Sequence, residues 1–211
     1  MKKGLFISVE GPDGSGKSTQ IKNIRAFFED KGIDIVFTRE PGGTPIGEDI
    51  RKIILDRDNS EMCEMTEAML YAAARAQHVR EVIRPALEEG KTVICDRFVD
   101  SSIAYQGYGR RLGEAVRIIN GFAVDGCMPD VTFLFKMDPR IGRRRISAEK
   151  QDRLEMEQDD FHVRTFEGYL SLEKKYPERI VGIDASRGID EIRSDIYTKL
   201  EEILKGVTGQ I

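Results

Sequence analysis

At 211 residues with a net charge of −4, the chain is long enough for one sizeable core and too acidic for general adhesion to polymeric nucleic acid or to a membrane surface. Its three cysteines, Cys63, Cys95 and Cys127, form no C-x-x-C pair, so neither a disulfide framework nor a zinc site is expected, and a reducing, cytoplasmic setting fits. The opening "MKKGLFISV" imitates the basic start of a signal peptide, but its apolar run is short and no small-residue cleavage site follows.

The first apolar run, 5–9, reads as a buried strand. It leads into "GPDGSGKS", Gly11 to Ser18, which matches G-x-x-x-x-G-K-[ST]. Gly11, Gly14 and Gly16 let the backbone turn its N–H groups toward a β-phosphate at a helix N-terminus, and Lys17 adds a mobile cation. Ser18 offers a hydroxyl to Mg2+. The strand before and the helix after favour a nucleotide site over a plain glycine-rich turn. The loop is shared by GTPases, ATPases and small-molecule kinases, and the absence of a guanine-reading N-K-x-D counts against the first.

Ile21, Ile24, Phe27 and Phe28 then recur at helical spacing, closed by Gly32. After a second strand, 33–38, "TREPGGTPIGEDIR" reads as a loop before a short helix carrying Arg51. Arg39 and Glu40 would line a cleft there, although a Pro-Gly-Gly turn needs no ligand to explain it. The alanine-rich stretch 66–90 places Met69, Ala72, Ala76, Val79, Ile83 and Leu87 on one helical face, and Pro85 is set to kink it. Tyr71 and Arg75, four apart, offer a ring beside a guanidinium, a pair able to hold a flat polar base or simply to sit half-buried. His78 and His162 read as helix-surface residues.

The third strand, 92–95, delivers Asp96 and Arg97 to the carboxyl edge of a sheet, where ligands bind in open α/β folds. There Asp96 can orient Mg2+-bound water and Arg97 can grip a second phosphate with its planar fork. A fourth strand, 131–137, precedes "RIGRRRISAEKQDR", residues 140–153, with six Arg or Lys against two Asp or Glu. This is a solvated helical face or an arginine-bearing lid that shields a phosphoryl transfer from water. A fifth strand, 180–183, is followed by Ile189, Ile192, Ile196, Leu200 and Ile203 at helical spacing, with Gly206 ending the helix. Strands alternating with helices imply an α/β fold with a parallel sheet covered on both faces.

From "VEGPDGSGKST" through "TREPGGT", "DRFVDSSIAYQG" and "PDVTFLFKMDP" to "DRLE", the chain resembles the thymidylate kinase family over nearly its whole length. The resemblance implies the P-loop nucleoside-monophosphate kinase fold, a five-stranded parallel sheet flanked by helices with a basic lid, as a single domain over 1–211. It implies a homodimer that transfers the γ-phosphate of ATP to dTMP with Mg2+ held near Ser18 and Asp96. Another P-loop metabolite kinase, or an ATP-binding regulatory module, is the alternative.

The family's site residues carry over as follows. Gly11, Pro12, Asp13, Gly14, Ser15, Gly16, Lys17, Ser18 and Thr19 would hold ATP, with Arg145, Ser186 and Arg187 on the adenine side. Asp13 would also bond the acceptor's 3'-hydroxyl, Arg97 and Arg51 its phosphate, and Tyr71 would stack on thymine where the family commonly has phenylalanine. Arg75 would bond the base, Glu40, Ser102 and Gln106 would complete the acceptor site, and Tyr105 would clash with a ribose 2'-hydroxyl. Lys17, Asp96, Arg97 and Arg153 would be catalytic, Arg153 replacing an arginine that some members carry at the position of Gly14. The acceptor region would span about 39–75 and 96–106, and the lid about 140–155.

Overall fold

The computed structural model describes residues 4–145 and 152–208. Strand β1 (Phe6–Glu10) enters the glycine-rich loop and α1 (Lys17–Glu29). β2 (Ile35–Arg39) is followed by α2 (Pro45–Leu55), whose N-cap Thr44 accepts a bond from Gly47 and whose first turn begins with proline, a strong start signal. Next, α3 (Glu64–His78) continues through a π-helical turn, Val79–Ile83, into α4 (Arg84–Glu88). Pro85 lacks a ladder N–H, and the expected kink takes the form of that wide turn just before it.

β3 (Thr92–Asp96) leads into α5 (Val99–Ser102) and a second π-helical turn, Ile103–Gly109. The remaining elements are α6 (Glu114–Val124), β4 (Val131–Lys136), α7 (Pro139–Arg143), α8 (Asp159–Lys175), β5 (Ile180–Asp184) and α9 (Ile189–Thr208).

All strand pairs are parallel, in the order β2-β3-β1-β4-β5. Parallel neighbours require crossovers, and these place the helices on both faces. Alternation along β1 sends Ile7 and Val9 to one face, where they meet Ile24, Phe28, Phe133, Ile196 and Leu200, and Phe6 to the other, with Val93, Cys95 and Phe98. Each fully buried side chain of this kind contributes about 1.5–3 kcal/mol. The register sets Asp96 beside both Val9 and Arg39, so the residues leaving β1, β2 and β3 emerge together at one edge.

Two helical expectations need correction. On α3 the buried face holds Ala68, Ala72, Arg75 and His78, while Met69 is 54% exposed and Ala76 is also exposed. His78 is fully buried rather than on the surface, and His162 is buried too. α3 turns Arg75 and His78 inward because both meet the carboxylate of Glu40, which offsets part of the cost of burying them. At the C-terminus, α9 runs past Gly206 to Thr208. One glycine in a helix costs roughly 1 kcal/mol against alanine, less than the packing of Ile192, Ile196 and Leu200 supplies.

Candidate active site

The phosphate loop is shaped by contacts that only glycine allows. Gly11 has φ +137° and a Cβ there would lie 2.5 Å from the Phe135 carbonyl oxygen; Gly14 has φ +74° and a Cβ would lie 2.2 Å from that of Gly142. The second contact seats α7 directly on the loop and leaves no room for a side chain at position 14. Gly16 caps α1 with no side-chain acceptor, so N–H groups of the first helical turn stay available to an anion.

Within this loop Lys17 Nζ donates to the carbonyl oxygens of Gly11 and Pro12, both at 2.9 Å. Burial, and then the Arg97 charge, push its amine down to about 8, against the pull of Asp13, Asp96 and Glu10. Ser15 Oγ and Asp96 Oδ1 are buried without a hydrogen-bond partner. Unmet polar atoms of this kind are costly and mark places built for a further group. Ser18 and Thr19 are exposed on the same wall.

Opposite the loop stands Arg97, held at φ +66°, a strained conformation for a residue other than glycine. This turn at the end of β3 swings the guanidinium onto Asp13, 2.6 Å away. Arg97 Nη1 also donates to the hydroxyls of Ser101 (3.2 Å) and Tyr169 (3.1 Å). Those two hydroxyls in turn donate to Glu10 Oε2, at 2.5 and 2.9 Å. Buried beneath them, Glu10 is pushed up to about 7 by desolvation and by Asp100, with Arg97 opposing. Tyr105 donates to the other Asp13 oxygen at 3.1 Å, and its ring lies 5.1 Å from the Arg97 guanidinium. Burial also pushes the Tyr105 phenol well up.

Deeper in the cleft, Arg51 Nη1 and Arg39 Nη1 both donate to the Pro41 carbonyl, at 2.9 and 3.1 Å. Tyr71 lines the same cleft, its phenol pushed up first by burial and then by Glu67. Arg75, 1% exposed, makes four hydrogen bonds: to Glu40 Oε2 (2.8 Å), Ser102 Oγ (2.9 Å), Asn120 Oδ1 and the Phe98 carbonyl (3.1 Å). Gln106 donates to Glu67 at 2.9 Å.

Many of these groups line one cavity of about 550 Å3. Around it stand Asp13 to Thr19, Glu40, Arg51, Tyr71, Arg75, Asp96, Arg97, Ser102, Tyr105, Gln106 and Arg145. Arg145 reaches in from the basic stretch, donating to the Gly14 carbonyl at 3.1 Å. Gly11 and Pro12, the first two residues of the loop, are buried and intermediate in exposure respectively.

Three expected site residues lie elsewhere in this arrangement. Ser186 folds back on Asp184, and Arg187 pairs with Asp195 and Glu191 on the exposed turn after β5. Arg153 is engaged outside the cavity lining: its guanidinium donates to Glu67 Oε2 at 2.7 Å and to the Ile54 carbonyl at 2.9 Å. Glu67 is fully buried, and Arg153 shares with Arg110 the task of neutralising it. The Arg143 side chain and residues 146–151 lie outside the described residues.

Sequence reasoning missed Glu10, Ser101 and Tyr169 behind Arg97, and Asp152 and Glu155, which face the cavity from the stretch "DRLE". It also missed His78, although Tyr71, Arg75 and His78 at spacings of four and three share one helical face.

Residues 9–196 match the family model for thymidylate kinase. The thymidylate kinase of Geobacillus sp. (strain WCH70) is 52% identical over 194 residues, covering 90% of this chain and 92% of the relative. That of Clostridium novyi (strain NT) is 48% identical over 200 residues, covering 93% and 98%. The crystal structure of thymidylate kinase from Ehrlichia chaffeensis is similar with a TM-score of 0.77 at 31% identity, covering 94% of this chain and 99% of that one. With its parallel sheet, phosphate loop and flanking helices in the P-loop nucleoside-monophosphate kinase arrangement, the chain belongs to the thymidylate kinase family.

Proposed function

We infer that the chain transfers the γ-phosphate of ATP to dTMP, giving ADP and dTDP. The observation that carries this reading is the contact between Asp13 and Arg97, which joins the phosphate loop to an arginine able to hold a second phosphate, inside a single cavity. Donor and acceptor phosphates bound on either side of that contact would be adjacent, and phosphoryl transfer depends chiefly on such positioning and on charge stabilisation.

In this reading the loop N–H groups and Lys17 hold the donor phosphates, Lys17 leaving the carbonyls of Gly11 and Pro12 to do so. Arg97 and Arg51 take the acceptor phosphate, Tyr71 stacks on the base, and Arg75 with Ser102 and Gln106 lines the base end. Asp13 and Tyr105 flank the sugar. Arg145 approaches the loop from the donor side. Mg2+ fits the site: Ser18 supplies a hydroxyl, and Asp96 supplies a buried carboxylate oxygen that no protein group satisfies. There the ion would be held mostly through its waters and would neutralise charge on the β- and γ-phosphate oxygens.

A homodimer is the assembly we propose, supported by apolar side chains exposed on α3 and α6, two helices that pack together: Phe122 (81%), Ile118 (57%) and Met69 (54%). No helix among the described residues is long and apolar enough to cross a membrane, and a cytoplasmic location accords with the cysteine usage.

Coupled measurement of ADP release with dTMP, AMP, GMP, CMP and shikimate as acceptors tests the reading. Turnover of dTMP far above the others is expected. Equal turnover across the set would leave only a general P-loop kinase.

A further inference from the structure

We propose that His78 is a positioning residue for the acceptor base: it fixes the Glu40 carboxylate and, through it, the Arg75 guanidinium at the base end of the cavity. The proposal rests on the reading of that cavity as a dTMP site. His78 is fully buried on α3, three residues beyond Arg75 and on the same face. Both its ring nitrogens are engaged, Nδ1 with Glu40 Oε1 at 2.9 Å and Nε2 with Thr38 Oγ1 at 2.6 Å.

The hydrogen positions follow from the partners. Glu40 pairs with Arg75 and is an acceptor only, so His78 Nδ1 carries the hydrogen and donates. In the neutral ring Nε2 then accepts from the Thr38 hydroxyl. A chain of buried bonds therefore runs from β2 through the imidazole to Glu40, whose second oxygen receives Arg75 Nε at 2.8 Å. Without the imidazole, Glu40 Oε1 would be a buried acceptor lacking this donor, and the carboxylate would be free to turn and take Arg75 with it.

The loop that carries Glu40 is also seated on this ring. A Cβ at Gly43, which has φ +82°, would lie 2.7 Å from both His78 Nε2 and Thr38 Oγ1. Gly43 is thus the space the imidazole needs, and the acceptor loop packs on His78. Disturbing His78 should therefore weaken the acceptor while leaving ATP alone.

Asparagine sets its amide near the place of Nδ1, and glutamine near that of Nε2. His78→Asn keeps a donor to Glu40 and loses Thr38; His78→Gln keeps Thr38 and loses Glu40. Both remove the ring, so a merely structural role predicts equal losses in melting temperature and equal kinetics. We expect His78→Gln to raise the KM for dTMP about tenfold with the KM for ATP within about twofold, and His78→Asn to restore most of that loss. Equal KM values for dTMP in the two variants would overturn the proposal. Should His78→Gln not fold, Thr38→Val leaves the ring packed and removes only its hydroxyl partner. A rise of about threefold in the dTMP KM supports the proposal, and no rise overturns it. Wild-type protein inactive on dTMP would overturn the function reading and this inference together; an active wild type with indistinguishable variants overturns this inference alone.

Discussion

The Arg97 guanidinium lies 2.6 Å from the Asp13 carboxylate, so the residue leaving β3 is tied across the cleft to the middle of the phosphate loop. Burial alone would raise the Asp13 carboxyl, but Arg97 and Lys17 together hold it below the usual carboxylate range. The pair keeps an arginine charged, desolvated and aimed before any phosphate arrives, which is the preorganisation that electrostatic catalysis requires.

Removing Arg97 should accordingly affect both binding and chemistry. Arg97→Ala is expected to raise the KM for dTMP and lower kcat, with kcat/KM falling about 100-fold or more. Arg97→Lys keeps the charge but loses the planar fork that spans Asp13, Ser101 and Tyr169, and should recover only part of the loss. Steady-state kinetics with dTMP as the varied substrate would show this. An Arg97→Ala enzyme with an unchanged KM for dTMP would place the acceptor phosphate elsewhere.

Glu10 makes stability depend on pH in a definite direction. Its folded value of about 7 lies above its ordinary 4.5, first because it is buried and second because Asp100 is near. Between those values the folded chain holds a proton that the unfolded chain does not. Stability from this group is therefore present at low pH and is lost as pH rises through about 7, by an amount on the order of 3 kcal/mol. Urea unfolding at pH values of about 5 and about 7.5 should show the loss, and Glu10→Gln should flatten it. The same slope in that variant would exclude Glu10 as its source.

Much of this frame was legible in the sequence because it rests on local rules. The five apolar runs became the five strands, and the loop from Gly11 to Ser18 sits between strand and helix as its mechanism demands. Asp96 and Arg97 emerge beside the loop because a strand placed them there. What stayed hidden depends on pairings distant in sequence. Periodicity gave α3 an apolar face, yet Arg75 and His78 turn inward because Glu40, some 35 residues earlier, receives them. In the same way Arg153 reads as a lid arginine until Glu67, 86 residues away, takes its charge.

That last pairing can be tested directly. Arg153→Ala leaves the buried Glu67 with Arg110 and Gln106 as donors, so the variant should lose about 1–3 kcal/mol of stability rather than fail to fold. Its KM for ATP should change little while the side chain stays on Glu67. A variant of unchanged melting temperature but much reduced kcat would show instead that Arg153 leaves Glu67 and acts at the transferring phosphate.

Lys17 provides a test of the phosphate loop that needs no substitution. Its amine is brought down to about 8, first by burial and then by Arg97, while it rests on the carbonyls of Gly11 and Pro12. A bound phosphate favours the charged form and raises that value. At a pH of about 8.5, where most Lys17 amines in the free protein are neutral, binding of ATP should take up roughly 0.7 of a proton. At a pH of about 6.5 the amine is already charged and its contribution vanishes. Calorimetric titrations in buffers of different ionisation enthalpy measure this uptake as the slope of the apparent binding enthalpy. A slope of zero at the higher pH would mean that Lys17 either is already fully charged in the free protein or does not reach the phosphates.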